Sequence, residues 1–280
     1  MPFFELFDET LDINSTENYE LSVEVSHDGL TFCLLDSIRN KFVLIRSFNP
    51  DENKYFSIGQ TDEIISKDDF LTKKYKKVKV IMPSSKSTLV PAPLFDPGKK
   101  DDYFIFNHLK DDNELILSNK IADPDTYLLF AALIPFTDLV NKFYPDIQPY
   151  HHVKPLLRHI SHERKNLNSH YIHVHVEREF FNLIIFGSGT LKFCNTFSYR
   201  NISDILYYVL NVFMNLGLSQ EETIHFSGQT GKYDDLSSNF SIYVRNILFA
   251  SPSGNFTFSY VFNELDLHRF LNIFTLANCE

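Results

Sequence analysis

Residues 19–48 read YELSVEVSHDGLTFCLLDSIRNKFVLIRSF, and this stretch decides the fold. Polar and apolar residues alternate on both sides of the turn His-Asp-Gly at 27–29, as they do in a β-hairpin. A polar turn at 37–40 leads into a third apolar run, so the stretch predicts a meander of three antiparallel strands. Residues 171–199, YIHVHVEREFFNLIIFGSGTLKFCNTFSY, repeat this order half a chain later. The repetition predicts a duplicated, two-lobed fold.

The rest of the chain alternates between helical and strand patterns. Helices are predicted at 125–143, 153–166, 203–216, 235–249 and 264–276, and strands at 78–82, 102–108, 114–118, 223–227 and 256–262. Pro135 is expected to kink the first of these helices. The alternation indicates an α/β protein with mixed sheets flanked by helices. We place an N-terminal lobe at 1–166 and a C-terminal lobe at 167–280, with the boundary near 166–169.

Composition excludes several classes of protein. The net charge of −10 argues against general nucleic-acid binding and against binding to anionic membranes, because both need an excess of Lys and Arg. The longest apolar run, 127–136, is too short to span a bilayer, so no membrane insertion is expected. Cys33, Cys194 and Cys279 are an odd and sparse set, which is typical of a reducing compartment. The acidic N-terminal sequence MPFFELFDETLD does not read as a signal peptide, so we expect a cytoplasmic protein.

Four stretches resemble the actin-like ATPase fold, a duplicated ribonuclease H-like fold shared by actin, Hsp70 chaperones and sugar kinases. They are LSVEVSHDGLTFCLLD at 21–36, VKVIMPSSKSTLVPAPLF at 78–95, YIHVHVEREFFNLIIFGSGTLKFCNTF at 171–197 and LHRFLNIFTLANCE at 267–280. Over nearly its whole length the chain is similar to a bacterial family of unknown function built on that fold. The resemblance implies two lobes with a cleft between them.

The turns of the meanders depart from the pattern that this resemblance implies. In active members of the fold, an Asp-x-Gly turn lets backbone N–H groups approach phosphate, and the Asp holds a metal-bound water. Here the first turn contains Asp28 and Gly29 followed by the bulky Leu30, and the second contains Glu177 and Glu179 without any glycine. Such carboxylates repel a triphosphate unless a cation intervenes. The simpler interpretation is a pair of solvated hairpin turns.

Gly228 offers a second nucleotide-like feature. It follows the predicted strand 223–227, where active members of the fold place a glycine-rich turn against adenosine. The alternative interpretation is a strand-to-helix loop that needs a positive φ.

Histidines are the other conspicuous group, and seven of the eleven lie between 151 and 175. His173 and His175 alternate on one predicted strand and therefore share a face, where they could bind zinc together with a third ligand. No HExxH pattern accompanies them. The alternative is that both side chains are half-buried in the sheet.

A cluster of lysines, KKYKKVK at 73–79, stands out in this acidic chain. It could dock an acidic partner or a phosphate backbone, with Tyr75 stacking on a base. Alternatively, the lysines prevent an edge strand from pairing with another sheet.

These observations favour a non-catalytic binding or assembly module on a degenerate actin-like ATPase fold, with an unknown protein partner and no cofactor. The alternative hypothesis is a nucleotide-binding ATPase or phosphotransferase with unusual phosphate loops, which would hold ATP and Mg²⁺ at Asp28, Gly29, Glu177 and Gly228. A third hypothesis is a zinc-dependent enzyme that uses His173 and His175.

Overall fold

Both predicted meanders are present in the computed structural model, which describes residues 2–51, 54–164, 170–231 and 234–279. Each consists of three consecutive antiparallel strands. The duplication that the sequence predicts is therefore confirmed.

The first sheet comes from the N-terminal part of the chain. Its strands are β1 (Phe4–Phe7), β2 (Tyr19–Ser26), β3 (Gly29–Asp36), β4 (Lys41–Phe48) and β5 (Lys77–Ile81). Their spatial order is β1-β4-β3-β2-β5, and β5 lies parallel to β2 whereas the other four strands pair antiparallel. Helix α1 (Ile58–Lys67) connects β4 to β5, and it begins at Ser57 because Ser57 and Gln60 form a reciprocal capping box.

A small antiparallel sheet follows β5. It contains β6 (Ser87–Pro91), β7 (Glu114–Ile121) and β8 (Thr126–Leu133) in the order β6-β8-β7, and helix α2 (Lys100–Ile105) packs on it through the buried Phe104. The predicted strand at 102–108 is therefore wrong, because most of it lies in α2. The predicted strand at 114–118 is confirmed as part of β7.

The predicted helix at 125–143 is also wrong in its first half. Residues 126–133 form β8, and helix α3 (Ile134–Phe143) starts only afterwards, with Pro135 in its first turn, where proline is tolerated. Leu129 on one face of β8 packs under α2, and Phe130 on the other face packs in the core of the first sheet. A strand buried on both faces gives a continuous apolar run, which periodicity alone does not distinguish from a helix.

The second half repeats the first sheet. After α4 (Val153–Glu163) come β9 (Tyr171–Val176), β10 (Phe180–Gly187), β11 (Thr190–Ser198), α5 (Ile202–Leu216), β12 (Thr223–Gly228), α6 (Asp235–Phe240) and β13 (Asn246–Phe249). The order is β11-β10-β9-β12-β13, and β12 lies parallel to β9 as β5 does to β2. The predicted lobe boundary at 166–169 lies outside the described residues.

Three predicted elements near the C-terminal end of the chain are shorter than expected. The predicted helix at 235–249 ends at Phe240, and its last residues form β13, because pairing with the edge of β12 overrides local preference. The predicted strand at 256–262 is reduced to β14 (Thr257–Phe258), and the predicted helix at 264–276 becomes a 3₁₀ turn followed by α7 (Leu271–Thr275). Short 3₁₀ turns lie at Thr16–Asn18, Ala92–Leu94, Pro97–Lys99, Tyr260–Phe262, Leu267–Phe270 and Leu276–Asn278.

The two halves exchange helices. Helix α4 of the first half packs Leu156 and Ile160 into a core with Ile184 of the second sheet. Conversely, β14 pairs with β4, and α7 packs Phe274 into a core with Phe42 of the first sheet. Each sheet therefore depends on the opposite half of the chain to cover one of its faces.

This exchange makes the stability of the first sheet sensitive to α7. Phe274 is fully buried and contacts Phe42, Phe258 and Phe262, so Phe274→Ala should lower the free energy of unfolding by about 3–5 kcal/mol. Phe106→Ala, at a side chain that is 88% exposed, is the matched control and should change it by less than about 0.5 kcal/mol. Urea denaturation measures both, and equal stability of the two variants would contradict the exchange of helices.

Candidate functional site

A cleft of about 770 Å³ opens between the two meanders. Asp28, Glu177 and Gly228 all line it, so the structure brings together three of the four residues that the nucleotide hypothesis names. Gly29 lies beside Asp28 in the first turn but does not line the cleft. A Cβ atom at Gly29 would lie 3.0 Å from the carbonyl oxygen of Phe48, so a backbone contact occupies this side of the residue. Nucleotide binding by these residues stays a prediction.

A third carboxyl group, that of Glu24 on β2, lines the same cleft. Its Oε2 accepts a hydrogen bond from Asn272 Nδ2 on α7. Glu24 is not among the residues predicted from the sequence, although the alternation along β2 contains a signal for it. Val23 and Val25 point into the first core, so Glu24 must lie on the opposite face, which is the face that borders the cleft.

Burial changes the protonation of these carboxyl groups. It raises the pKa of Glu177 to about 8, with the negative charge of Asp28 as the second cause. Burial, followed by the charge of Glu177, raises the pKa of Glu24 well above its usual range. Burial also raises the pKa of Asp28. The cleft therefore favours neutral carboxyl groups, because partial burial and the neighbouring carboxylates both penalise the charged form.

Side chains bridge the two turns directly. Arg178 of the second turn lies 3.7 Å from Asp28 Oδ1 of the first turn, donates a hydrogen bond to the carbonyl oxygen of Lys54 at 2.8 Å, and stacks over the ring of Tyr55 at 4.6 Å. The hydroxyl group of Tyr55 in turn donates to Glu179. The second turn therefore contacts both the first turn and the segment that follows β4.

Gly228 adopts the left-handed conformation, with φ of 81°. A Cβ atom at this position would lie 2.1 Å from the carbonyl oxygen of Val176, on the neighbouring strand β9. The next residue, Gln229, donates its N–H to the same oxygen at 2.7 Å. Glycine is therefore required at this position by the approach of two backbones, whether or not a ligand binds in the cleft.

Histidines lie behind the cleft. His173 and His175 share a face of β9, as predicted, but they are buried rather than half-buried. His173 Nε2 and His175 Nδ1 lie 2.8 and 2.7 Å from Ser227 Oγ, and His175 Nε2 lies 3.0 Å from Glu177 Oε1. Burial lowers the pKa of His175 to about 3 and that of His173 well below its usual value. The neutral imidazole of His175 thus accepts a hydrogen bond at Nε2 from the protonated carboxyl group of Glu177.

This arrangement bears on the zinc hypothesis. In the described part of the chain, no group of three or more His, Cys, Asp or Glu residues is placed so that it could hold a metal ion. Two of the four ring nitrogens of His173 and His175 are hydrogen-bonded to a serine hydroxyl, which is typical of buried structural histidines.

The paired sheets and the cleft between them define an actin-like ATPase fold. A crystal structure from Bacteroides thetaiotaomicron, of a protein with an actin-like ATPase fold and unknown function, superposes with a TM-score of 0.82 at 22% sequence identity, covering 97% of this chain and 100% of that one. The PilM–PilN type IV pilus biogenesis complex matches with a TM-score of 0.59 at 11% identity, covering 92% of this chain and 97% of that one. The sequence matches "Protein of unknown function (DUF3822)" over residues 8–247, so the chain belongs to the DUF3822 family. No curated protein matches it.

The raised pKa of Glu177 makes stability depend on pH. The folded state holds a proton on Glu177 up to about pH 8, whereas an unfolded glutamate loses it near its usual pKa of 4.5, so this contribution to stability is lost as the pH rises between these values. Glu177→Gln mimics the neutral form and should stabilise the protein by about 1–3 kcal/mol at about pH 8.5, with a smaller gain at about pH 5. Glu179→Gln, in the exposed part of the same turn, is the control.

Thermal denaturation of both variants across this pH range provides the measurement. A Glu177→Gln variant that loses stability relative to wild type at high pH would show that Glu177 is ionised when folded.

The contact at Gly228 predicts a second effect on stability. Gly228→Ala should lower the free energy of unfolding by about 2–4 kcal/mol, because the new methyl group collides with the backbone of Val176 at a positive φ. Gly231→Ala is the matched control, since no atom lies within 4 Å of a Cβ at Gly231, and it should change stability by less than about 0.5 kcal/mol. Urea denaturation measures both, and equal effects would mean that the Gly228 backbone relaxes freely.

Proposed function

We propose that the protein is a non-catalytic binding module, which uses the actin-like ATPase fold to hold a protein partner and has lost phosphate handling. The bridge between the two turns supports this proposal most strongly. Arg178 spans from the second turn to Asp28 and to the carbonyl oxygen of Lys54 in the first half. A nucleotide phosphate between the turns would have to displace these contacts.

The charge of the cleft supports the same proposal. Glu24, Asp28 and Glu177 line it together, and each has a raised pKa. A triphosphate would add negative charge beside groups that already favour the neutral form, and Mg²⁺ would bind there only if they lost their protons. The turns also lack the successive glycine amides that bind phosphate oxygens in working members of the fold.

A protein partner is favoured by the comparison with the pilus complex. The structure similar to this chain is described as a PilM–PilN complex of type IV pilus biogenesis, so a chain with this architecture takes part in a protein assembly there. By analogy, we propose that the DUF3822 chain also acts through assembly with another protein.

A cytoplasmic location is part of the proposal. Cys33, Cys194 and Cys279 are all free thiols, which suits a reducing compartment. No helix in the described ranges has both the length and the apolar character needed to cross a bilayer.

The alternative function, an ATPase or phosphotransferase with unusual phosphate loops, has one observation in its favour: Asp28, Glu177 and Gly228 converge on a single cleft. In that case Mg²⁺ would lie between the carboxylates of Asp28 and Glu177 and the phosphates, with Gly228 near the base. The two functions predict different effects of ATP on the melting temperature.

The module proposal predicts that about 1 mM MgATP leaves the melting temperature unchanged, whereas a nucleotide present at about 100 times its Kd would raise it by about 5–10 °C. Thermal denaturation with MgATP, MgADP and Mg²⁺ alone makes the comparison, and calorimetric titration checks for heat of binding. A melting-temperature increase with MgATP that Glu177→Ala abolishes, while Glu179→Gln retains it, would overturn the module proposal in favour of the ATPase.

A further inference from the structure

The two sheets differ in what lies beside the strand that runs parallel to the meander, which is β12 in the second sheet and β5 in the first. In the second sheet, β12 pairs with β13 along four residues, Thr223 to Phe226. In the first sheet, the equivalent edge of β5 forms one isolated bridge with the described residues, between Ile81 and Tyr150. Tyr150 donates its N–H to Val80 at 2.7 Å and accepts from Met82 at 2.9 Å, and the pairing stops there.

The edge of β5 beyond this bridge is open. Backbone groups of alternate residues point to the same edge of a strand, so the N–H and C=O groups of Val78 point in the same direction as those of Val80. No described strand pairs with β5 on that side. Gln148, two residues before Tyr150, does not continue the ladder, and its side chain instead donates to the carbonyl oxygen of Ser118 at 2.8 Å.

A groove of about 810 Å³ runs along this open edge. We call it the lysine groove, and it is lined by residues 73–79, 118–120 and 143–148, with Tyr150 and Lys154. Its lining contains seven lysines and one acidic residue, Asp146, although the whole chain has a net charge of −10. Positive charge is therefore concentrated along the open edge of β5.

Several of these lysines are free to meet a ligand. Lys79 is committed to the fold, because it is buried and donates to the carbonyl oxygens of Leu276 and Ala277. In contrast, Lys73, Lys74 and Lys77 are exposed, and they form no ion pair with the described residues.

From this combination we propose that the lysine groove binds an extended acidic segment of a partner protein, which adds a strand to β5 at Val78. This inference rests on the proposed function of a partner-binding module and names the chemistry of the partner. Main-chain hydrogen bonds to an open edge supply affinity that is independent of sequence, and alternate side chains of the added strand supply specificity. Acidic side chains on such a segment complement Lys73, Lys74 and Lys77.

A peptide fits the groove better than single-stranded nucleic acid does. Binding of single strands relies on exposed aromatic rings that stack on bases. Tyr75 does not provide one, since it packs against the first core and its hydroxyl group donates to the carbonyl oxygen of Phe70 at 3.0 Å. Tyr144 is buried and bonds to the carbonyl oxygen of Leu71. Tyr75 and Tyr144 therefore support the fold, whereas the open backbone edge suits an extended chain.

The lysines also select among strands. Lysines along an edge repel another edge of the same charge, so two copies of β5 do not pair with each other. An acidic strand is attracted to this edge, whereas a basic strand is repelled from it. The same lysine side chains thus prevent the edge of β5 from pairing with another copy and attract an acidic partner strand.

The test is fluorescence anisotropy with a labelled peptide of about seven residues that alternates Glu and Val. We expect Lys73→Glu/Lys74→Glu/Lys77→Glu to weaken its binding by about tenfold or more, because the attraction becomes repulsion. The control Lys67→Glu/Lys99→Glu/Lys192→Glu makes the same change in net charge at exposed sites outside the groove and should stay within about threefold of wild type. A peptide with Lys in place of Glu should bind about tenfold more weakly than the Glu-Val peptide.

Two further probes separate edge pairing from charge attraction. A Glu-Val peptide with alternate amides N-methylated keeps its charge but cannot form a ladder, so it should also lose about tenfold in affinity. The unmodified peptide should slow hydrogen exchange at the Val78 amide. The inference would be overturned if the Glu-Val peptide did not bind, or if the methylated peptide bound as tightly as the unmodified one. It would also be overturned if the two triple variants bound the peptide equally well, or if labelled oligothymidine bound to wild type more tightly than the peptide does.

The failure of this inference is distinguishable from failure of the proposed function. Absence of peptide binding together with an unchanged melting temperature in MgATP would remove the lysine groove as the docking site and leave the module proposal intact. A nucleotide-dependent melting-temperature increase would overturn the module proposal, whatever the peptide does.

Discussion

Each sheet of this protein has one face that only the other half of the chain can cover. The aromatic cluster of Phe42, Phe258, Phe262 and Phe274 joins β4 to the last segment of the chain, and α4 makes the reciprocal contact with the second sheet. Large apolar side chains left exposed on a sheet face would cost several kcal/mol, so neither meander is stable in this form without its partner. The exchange fixes the two meanders against each other and thereby sets the cleft between their turns.

The exchange also buries polar groups at the cleft. Glu24 and Glu177 line the cleft and His175 lies behind it, and all three are held mainly as neutral, hydrogen-bonded groups. A buried polar group costs little when it is paired and much when it is not, which explains why these residues contact Asn272, Ser227 and one another. This pairing keeps the carboxyl groups of the cleft mainly neutral.

The two copies of the unit are not equivalent at their outer edges. In the second half, β13 completes the sheet beside β12, whereas in the first half the three-stranded sheet β6-β8-β7 intervenes before the chain returns at Tyr150. Asn119 of β7 holds that return, because its side chain donates to the carbonyl oxygen of Pro149 and accepts from the N–H of His151. The returning chain therefore contacts β5 at Tyr150 but is held on either side by the small sheet, and among the described residues no strand covers the edge of β5 at Val78.

The sequence by itself determined the duplication, because alternation with a period of two and the turn at 27–29 act locally and occur in both meanders. It also predicted that Asp28, Glu177 and Gly228 belong together, although it missed Glu24, whose partners lie 153 positions away at Glu177 and 248 away at Asn272. Tertiary structure decided that residues 126–133 form a strand, since burial on both faces removes the periodicity that separates strand from helix. It also decided the protonation of the cleft and the open edge of β5, because desolvation and missing neighbours arise only when distant segments pack together.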